Sequence, residues 1–82
     1  MILVDIFVPA VDKNYNFSLN EDVELEMIIA EITEMIGQKE QTHLYGSQDE
    51  LNLFSLRDKR ILPRTNTLTD CLVKQGDALM MV

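Results

Sequence analysis

Cys71 and His43 are the chain's only cysteine and only histidine, so they are its one possible thiol and imidazole pair. A cysteine becomes a nucleophile when a nearby imidazole or a helix N-terminus lowers its pKa. His43 stands in a polar stretch, Gln38 to Glu50, and nothing in the spacing brings it to Cys71. One cysteine and one histidine also fall short of any tetrahedral zinc set. Adjacent carboxylates occur at Glu21 with Asp22 and at Asp49 with Glu50, and these read as solvated surface rather than as a general acid and base. No phosphate-binding loop, HExxH or CxxC pattern is present. No catalytic residue, cofactor or metal is therefore expected, and the chain reads as a protein that is not an enzyme.

The elements that would carry any site follow from periodicity. Ile2, Val4, Ile6 and Val8 alternate with Leu3, Asp5 and Phe7, a period of two that predicts a strand with one buried face. Pro9 ends it. Asp12, Lys13 and Asn14 predict a turn, and Tyr15, Phe17 and Leu19 alternate with Asn16, Ser18 and Asn20 in a second strand, completing a hairpin. From Val23 to Ile36 the period changes. Leu25, Ile28, Ile29, Ile32, Met35 and Ile36 recur at helical spacing, with Glu24, Glu26, Glu31 and Glu34 mainly opposite. Asp22 is the expected N-cap and Gly37 the expected stop. A helix this short is marginal alone in water, so the stripe requires a partner surface, which the hairpin can supply.

The rest of the chain divides into short pieces. Gln38 to Glu50 reads either as a long flexible loop or as a connection holding a short extra turn, Leu51 to Leu56 as a strand, Arg57 to Lys59 as a tight turn and Arg60 to Leu62 as a short partner strand closed by Pro63. The register of the third strand stays open: Leu51, Leu53 and Ser55 compete with Asn52, Phe54 and Leu56 for the inward face, and a slip of one residue exchanges them. Thr65 to Thr69 reads as a loop, Asp70 to Val73 as one helical turn, and Ala78 to Val82 as a last strand with Leu79 and Met81 inward. This order predicts one α+β domain over residues 1 to 82, a mixed sheet of four to five strands packed on one helix.

Composition restricts the partners. Fourteen acidic against seven basic residues give a net charge of −7, which repels phosphate backbones and anionic lipid, so nucleic acid is not an expected partner. The opening MILVDIFVPA lacks a basic leader and is interrupted by Asp5, and no apolar run approaches the ~18 residues of a membrane span. A lone cysteine forms no internal disulfide, which suits a reducing compartment.

The run LPRTNTLTDCLVKQGDALMMV, from Leu62 to Val82, resembles the C-terminal half of ubiquitin-like β-grasp proteins. It keeps Leu62 and Leu68 at the family's spacing, the phrase TLTD and the polar turn KQGD before the last strand. The helix ending at Gly37 also falls where that family has it. Among these families the chain looks most like the small bacterial YukD or EsaB-type proteins associated with type VII secretion. The resemblance implies first and last strands lying side by side and parallel, a buried Cys71, and a cytoplasmic protein that works by contacting other proteins. Conjugated members of the fold need a flexible tail ending in Gly-Gly. Gly37, Gly46 and Gly76 are scattered and the sequence stops at Val82, so conjugation is not expected.

Leu3 and Phe7 on the first strand should share the open sheet face with Met80 and Val82 on the last, with Leu56 beside them if the gapless register counted back from Leu62 holds. Leu56, Met80 and Val82 also fall on positions resembling the recognition patch of ubiquitin. A contiguous apolar patch on a small protein marks an interaction site, so these five residues are the candidate protein-binding set. Arg57, Lys59, Arg60 and Arg64 form a basic spot, and the helix with its start forms an acidic flank. The expected function is a non-catalytic ubiquitin-like interaction module, accessory to type VII secretion. Two alternatives stand beside it: a β-grasp effector subunit of a larger enzyme complex, and an acyl carrier. A carrier needs an Asp-Ser-Leu-like site at a helix start, whereas Ser47 precedes Gln48 in a polar stretch.

Overall fold

The computed structural model describes residues 1–40 and 51–82. Strand β1 (Ile2–Val8) pairs antiparallel with β2 (Lys13–Leu19), in register from Ile2 opposite Leu19 to Val8 opposite Lys13. Asp12, at φ 52°, makes the left-handed step of the turn between them. Asp tolerates that region better than most residues because its short side chain can bond locally. Helix α1 (Leu25–Glu40) follows, then β3 (Leu53–Ser55), β4 (Arg60–Ile61) and β5 (Ala78–Met81). The sheet order is β2-β1-β5-β3-β4, with β5 parallel to β1 and antiparallel to β3. This is the ubiquitin-like β-grasp arrangement: a mixed sheet of five strands with one helix across a single face.

The core follows the two periodicities. Leu25, Ile28, Ile29, Ile32 and Ile36 are buried along α1, and Val4, Ile6, Val8, Tyr15, Leu19, Leu53, Leu79 and Met81 face them from the sheet. Each such side chain contributes roughly 1.5–3 kcal/mol as an upper bound. Met35, expected in the stripe, is instead 37% exposed. It sits at the margin where α1 overlooks β2.

Both expected ends of the helix are corrected. Asp22 does not cap it: its Oδ1 accepts a hydrogen bond from the Thr69 hydroxyl at 3.3 Å. The leading N–H groups are satisfied from elsewhere in the chain, Leu25 donating to the Asn66 carbonyl at 2.9 Å and Glu26 to the Arg64 carbonyl at 3.0 Å. Loop carbonyls thus do the work of a capping side chain. At the other end the helix runs through Gly37 to Glu40. Packing favours the extra turn, since Lys13 Nζ lies 2.7 Å from Glu40 Oε1 and Lys39 Nζ stands 5.3 Å from the centre of the Tyr15 ring. Those contacts offset the ~1 kcal/mol propensity cost of an interior glycine. Gln38, Lys39 and Glu40 are therefore helical, so the expected connection begins with an extra turn of α1, while the remainder of that stretch, with His43 and Ser47, lies outside the described residues.

The TLTD phrase has a local mechanism. Asp70 N–H donates to Thr67 Oγ1 at 3.0 Å and Thr67 N–H donates to Asp70 Oδ2 at 3.1 Å, a reciprocal capping box. The single turn that it opens closes with Val73 N–H on the Leu68 carbonyl and Leu72 N–H on the Thr69 carbonyl. That is a Schellman ending, with buried Leu68 and Val73 as its apolar contact. Its left-handed position, φ 60°, is occupied by Leu72, which is 67% exposed. Glycine normally stands there, and a side chain in this region costs roughly 1–2 kcal/mol. Leu72→Gly is expected to raise the unfolding free energy by about 0.5–1 kcal/mol once the extra chain entropy of glycine is subtracted. Urea melts of the two proteins measure it, and a lower midpoint for the glycine variant would contradict the assignment of strain.

Candidate protein-binding face

The undecided register of β3 is settled by its neighbour. Leu53 pairs with Met81 and Ser55 with Leu79, so the inward rows of β3 and β5 coincide, leaving Leu53 fully buried and Ser55 3% exposed. Ser55 tolerates the interior because its Oγ accepts the Asp58 N–H at 3.1 Å. Phe54 consequently turns outward, opposite Met80 on one side and Ile61 on the other. Because Met80 also pairs with Phe7, the side chains of Phe7, Met80, Phe54 and Ile61 form one row across β1, β5, β3 and β4. At ~4.8 Å per strand the row is about 14 Å long. It lies on the face that α1 does not cover. Phe7, Met80 and Phe54 are half-buried, and Ile61 is 54% exposed.

The five residues expected from sequence take different places relative to that row. Phe7 and Met80 are paired within it. Val82 exchanges hydrogen bonds with Asn52, at 2.8 Å and 2.7 Å, which sets it two positions beyond Met80 on the same face, 42% exposed. Leu56, also 42% exposed, follows β3 and donates its N–H to the Ala78 carbonyl at 3.3 Å, which places it two residues beyond Phe54 at the level two residues before Met80. Leu3 is the outlier. It sits opposite Ser18 near the far end of β1, and Asp5 separates it from Phe7 on the shared face. Phe54 and Ile61 were missed because three-residue and two-residue strands carry too little alternation to declare a face. The signal that could have found them is the pairing of β3 with β5, where Leu79 and Met81 are unambiguous.

The basic spot resolves into structural contacts. Arg57 reaches Asp77 at 3.0 Å, Asp58 at 3.3 Å and the Leu72 carbonyl at 2.8 Å, tying the turn after β3 to the segment leading into β5. Arg60 approaches Asp58 at 4.0 Å, and Arg64 donates to the Leu51 carbonyl. Lys59, in the left-handed conformation at φ 55°, closes the turn on the Ser55 carbonyl at 2.7 Å. Charge here is spent mainly on holding loops together.

Cys71 is buried, 1% exposed, and burial pushes its thiol above the ordinary cysteine range. That is the opposite of an activated nucleophile. Lys13 holds the Glu40 carboxyl below its usual range, and Glu40 in turn raises Lys13. The Glu21 carboxyl is likewise lowered, by the N-terminal ammonium 2.8 Å away. Among the described residues no group of three or more histidine, cysteine, aspartate or glutamate side chains is placed to hold a metal ion, and no helix is long and apolar enough to cross a membrane.

No family model matches the chain, and no curated protein does. Solved structures do. The N-terminal ubiquitin-like domain of the 4931431F19Rik protein, determined in solution, superimposes with a TM-score of 0.75 over 99% of this chain and 72% of that one, at 18% identity. A protein designed de novo on ubiquitin matches with a TM-score of 0.74 over 99% of this chain and 85% of that one, at 15% identity. The fold is ubiquitin-like, and at these identities the likeness is one of fold.

Proposed function

We propose that this chain is a non-catalytic, ubiquitin-like protein-interaction module that binds a partner protein through the open face of its sheet. The observation that carries the reading is the row of Phe7, Met80, Phe54 and Ile61 across four strands, on the face opposite the helix. Large apolar side chains aligned on a rigid sheet suit a docking surface, because little conformational entropy remains to be lost on binding. Val82 and Leu56 extend the row on either side, and Leu3 belongs to the same face beyond Asp5. The resemblance of the sequence to YukD and EsaB-type proteins supports a finer reading: an accessory component of a bacterial type VII secretion system, acting in the cytoplasm.

The test uses the chain as bait in lysate of its own organism, beside a Met80→Asp variant. Met80 lies in the middle of the row, and its side chain supports none of the buried core. A charge there is expected to weaken partner capture about thirtyfold or more, the size of a binding hot spot, while the thermal midpoint shifts little. Undiminished capture by the variant would remove the sheet face as the site. Recovery of secretion-machinery components supports the finer reading, and recovery of the other subunits of an enzyme complex instead would replace it.

A further inference from the structure

The sheet ends on one side at β2, and the hydrogen bonds of β1 show which backbone groups of β2 are committed. Asp5 donates its N–H to the Asp77 carbonyl at 3.0 Å, and the Leu3 carbonyl accepts the Gly76 N–H at 2.8 Å. Odd-numbered residues of β1 thus direct their backbone groups toward β5, and even-numbered ones toward β2. Val4 is opposite Phe17 and Ile6 opposite Tyr15, so Tyr15 and Phe17 bond to β1. The N–H and C=O groups of Asn14, Asn16 and Ser18 consequently point outward, along a margin that pairs with nothing among the described residues. Soluble proteins guard such a margin with charge, proline, a bulge or a very short strand. β2 has seven residues, no proline and an unbroken register with β1. Its one charged residue, Lys13, is already paired with Glu40 at 2.7 Å.

We propose that this chain forms a two-fold dimer in which β2 pairs antiparallel with β2 of a second copy, the axis passing beside Asn16. Asn16 is the midpoint of Lys13–Leu19 and one of the residues whose backbone faces outward, so it can exchange both hydrogen bonds with its own counterpart. In the same register Asn14 meets Ser18 of the second copy, and every outward backbone group of β2 finds a partner. On the helix side Tyr15 comes opposite Phe17 of the second copy, an aromatic cross-strand pair made twice. These rings line a groove with Met35 and Lys39 of α1.

The helix is self-complementary about the same level. Lys39 follows Met35 by four residues and Glu31 precedes it by four, and both are exposed. Antiparallel apposition about Met35 therefore sets Lys39 of one copy against Glu31 of the other, again twice. A second copy satisfies this symmetry, because an isologous contact needs one surface that complements itself. Each copy carries a net charge of −7, but at 0.15 M salt charges beyond ~8 Å are largely screened. The contact itself is locally balanced. The dimer leaves the Phe7, Met80, Phe54 and Ile61 face open and places two such rows on one continuous sheet, so it stands independently of the proposed function.

The experiment is sedimentation equilibrium of the full chain from micromolar to millimolar concentration at 0.15 M salt, with amide hydrogen exchange followed in parallel. A concentration-dependent dimer is expected, with protection of the Asn14, Asn16 and Ser18 amides rising as it forms. Asn16→Lys sets like charges against each other at the axis and should raise the dissociation constant about tenfold or more. Lys39→Glu and Glu31→Lys should each weaken the dimer, and the double variant should restore it. The proposal is overturned by a monomer at every concentration, by a dimer that leaves the three amides unprotected or tolerates Asn16→Lys, or by charge variants whose combination does not rescue. A monomer whose β2 amides become protected only when an extended peptide of another protein is added would overturn it too, assigning the margin to a foreign strand.

Discussion

Ile29→Ala is expected to lower the unfolding free energy by about 2–5 kcal/mol, a large part of what a domain of this size possesses. Ile29 has no exposed surface and sits in the middle of the apolar stripe of α1. Truncation removes three carbons from a site walled by β-strand side chains on one side and by its own helix on the other. Neither wall can collapse without disturbing hydrogen-bonded backbone, so the transfer loss and the cavity penalty add. Urea denaturation should show a lower midpoint with an unchanged slope, because the surface exposed on unfolding hardly differs. A loss below about 1 kcal/mol would mean that the sheet does not depend on this helix for its burial.

Leu68→Ala should cost a comparable ~2–5 kcal/mol, with a distinctive local signature. Leu68 is fully buried and anchors the capped turn from Thr67 to Val73. The loop just before that turn supplies the Arg64 and Asn66 carbonyls that hold the first N–H groups of α1. Loosening Leu68 should therefore free the start of a helix far away in sequence. Hydrogen exchange at Leu25 and Glu26 should accelerate more than at Ile32, whose bond is internal to the helix. Equal acceleration of all three would separate the loop from the helix start and refute the coupling. Ile29→Ala supplies the control, since it weakens the helix without touching its cap.

The contrast between these two residues shows how far the sequence could be read. Ile29 was legible because a helical period repeated over four turns needs only one explanation. Strands β1 and β2 were legible on the same ground, seven residues of alternation each. The expected helix ends, Asp22 and Gly37, were local rules overridden by distant contacts: carbonyls of Arg64 and Asn66 at one end, Lys13 and Tyr15 at the other. The candidate face shows the same division. Phe7 and Met80 lie on strands whose phase is clear, and the structure pairs them. Phe54 and Ile61 lie on strands of three and two residues, too short to establish a phase from their own side chains.

Legible along the chain were the set of elements, the inward faces of the long ones, and an acidic composition whose reactive residue types are too sparse for a recognisable catalytic set. Those follow from periodicity and composition, which are properties of neighbours along the chain. Contacts made on folding set where α1 begins and ends, which way Phe54 faces, and that the basic residues after β3 are engaged in holding loops. Each of those depends on a hydrogen bond or ion pair between residues far apart in the chain. Such contacts exist only once the sheet has closed, because until then no energy distinguishes one register of a three-residue strand from the next.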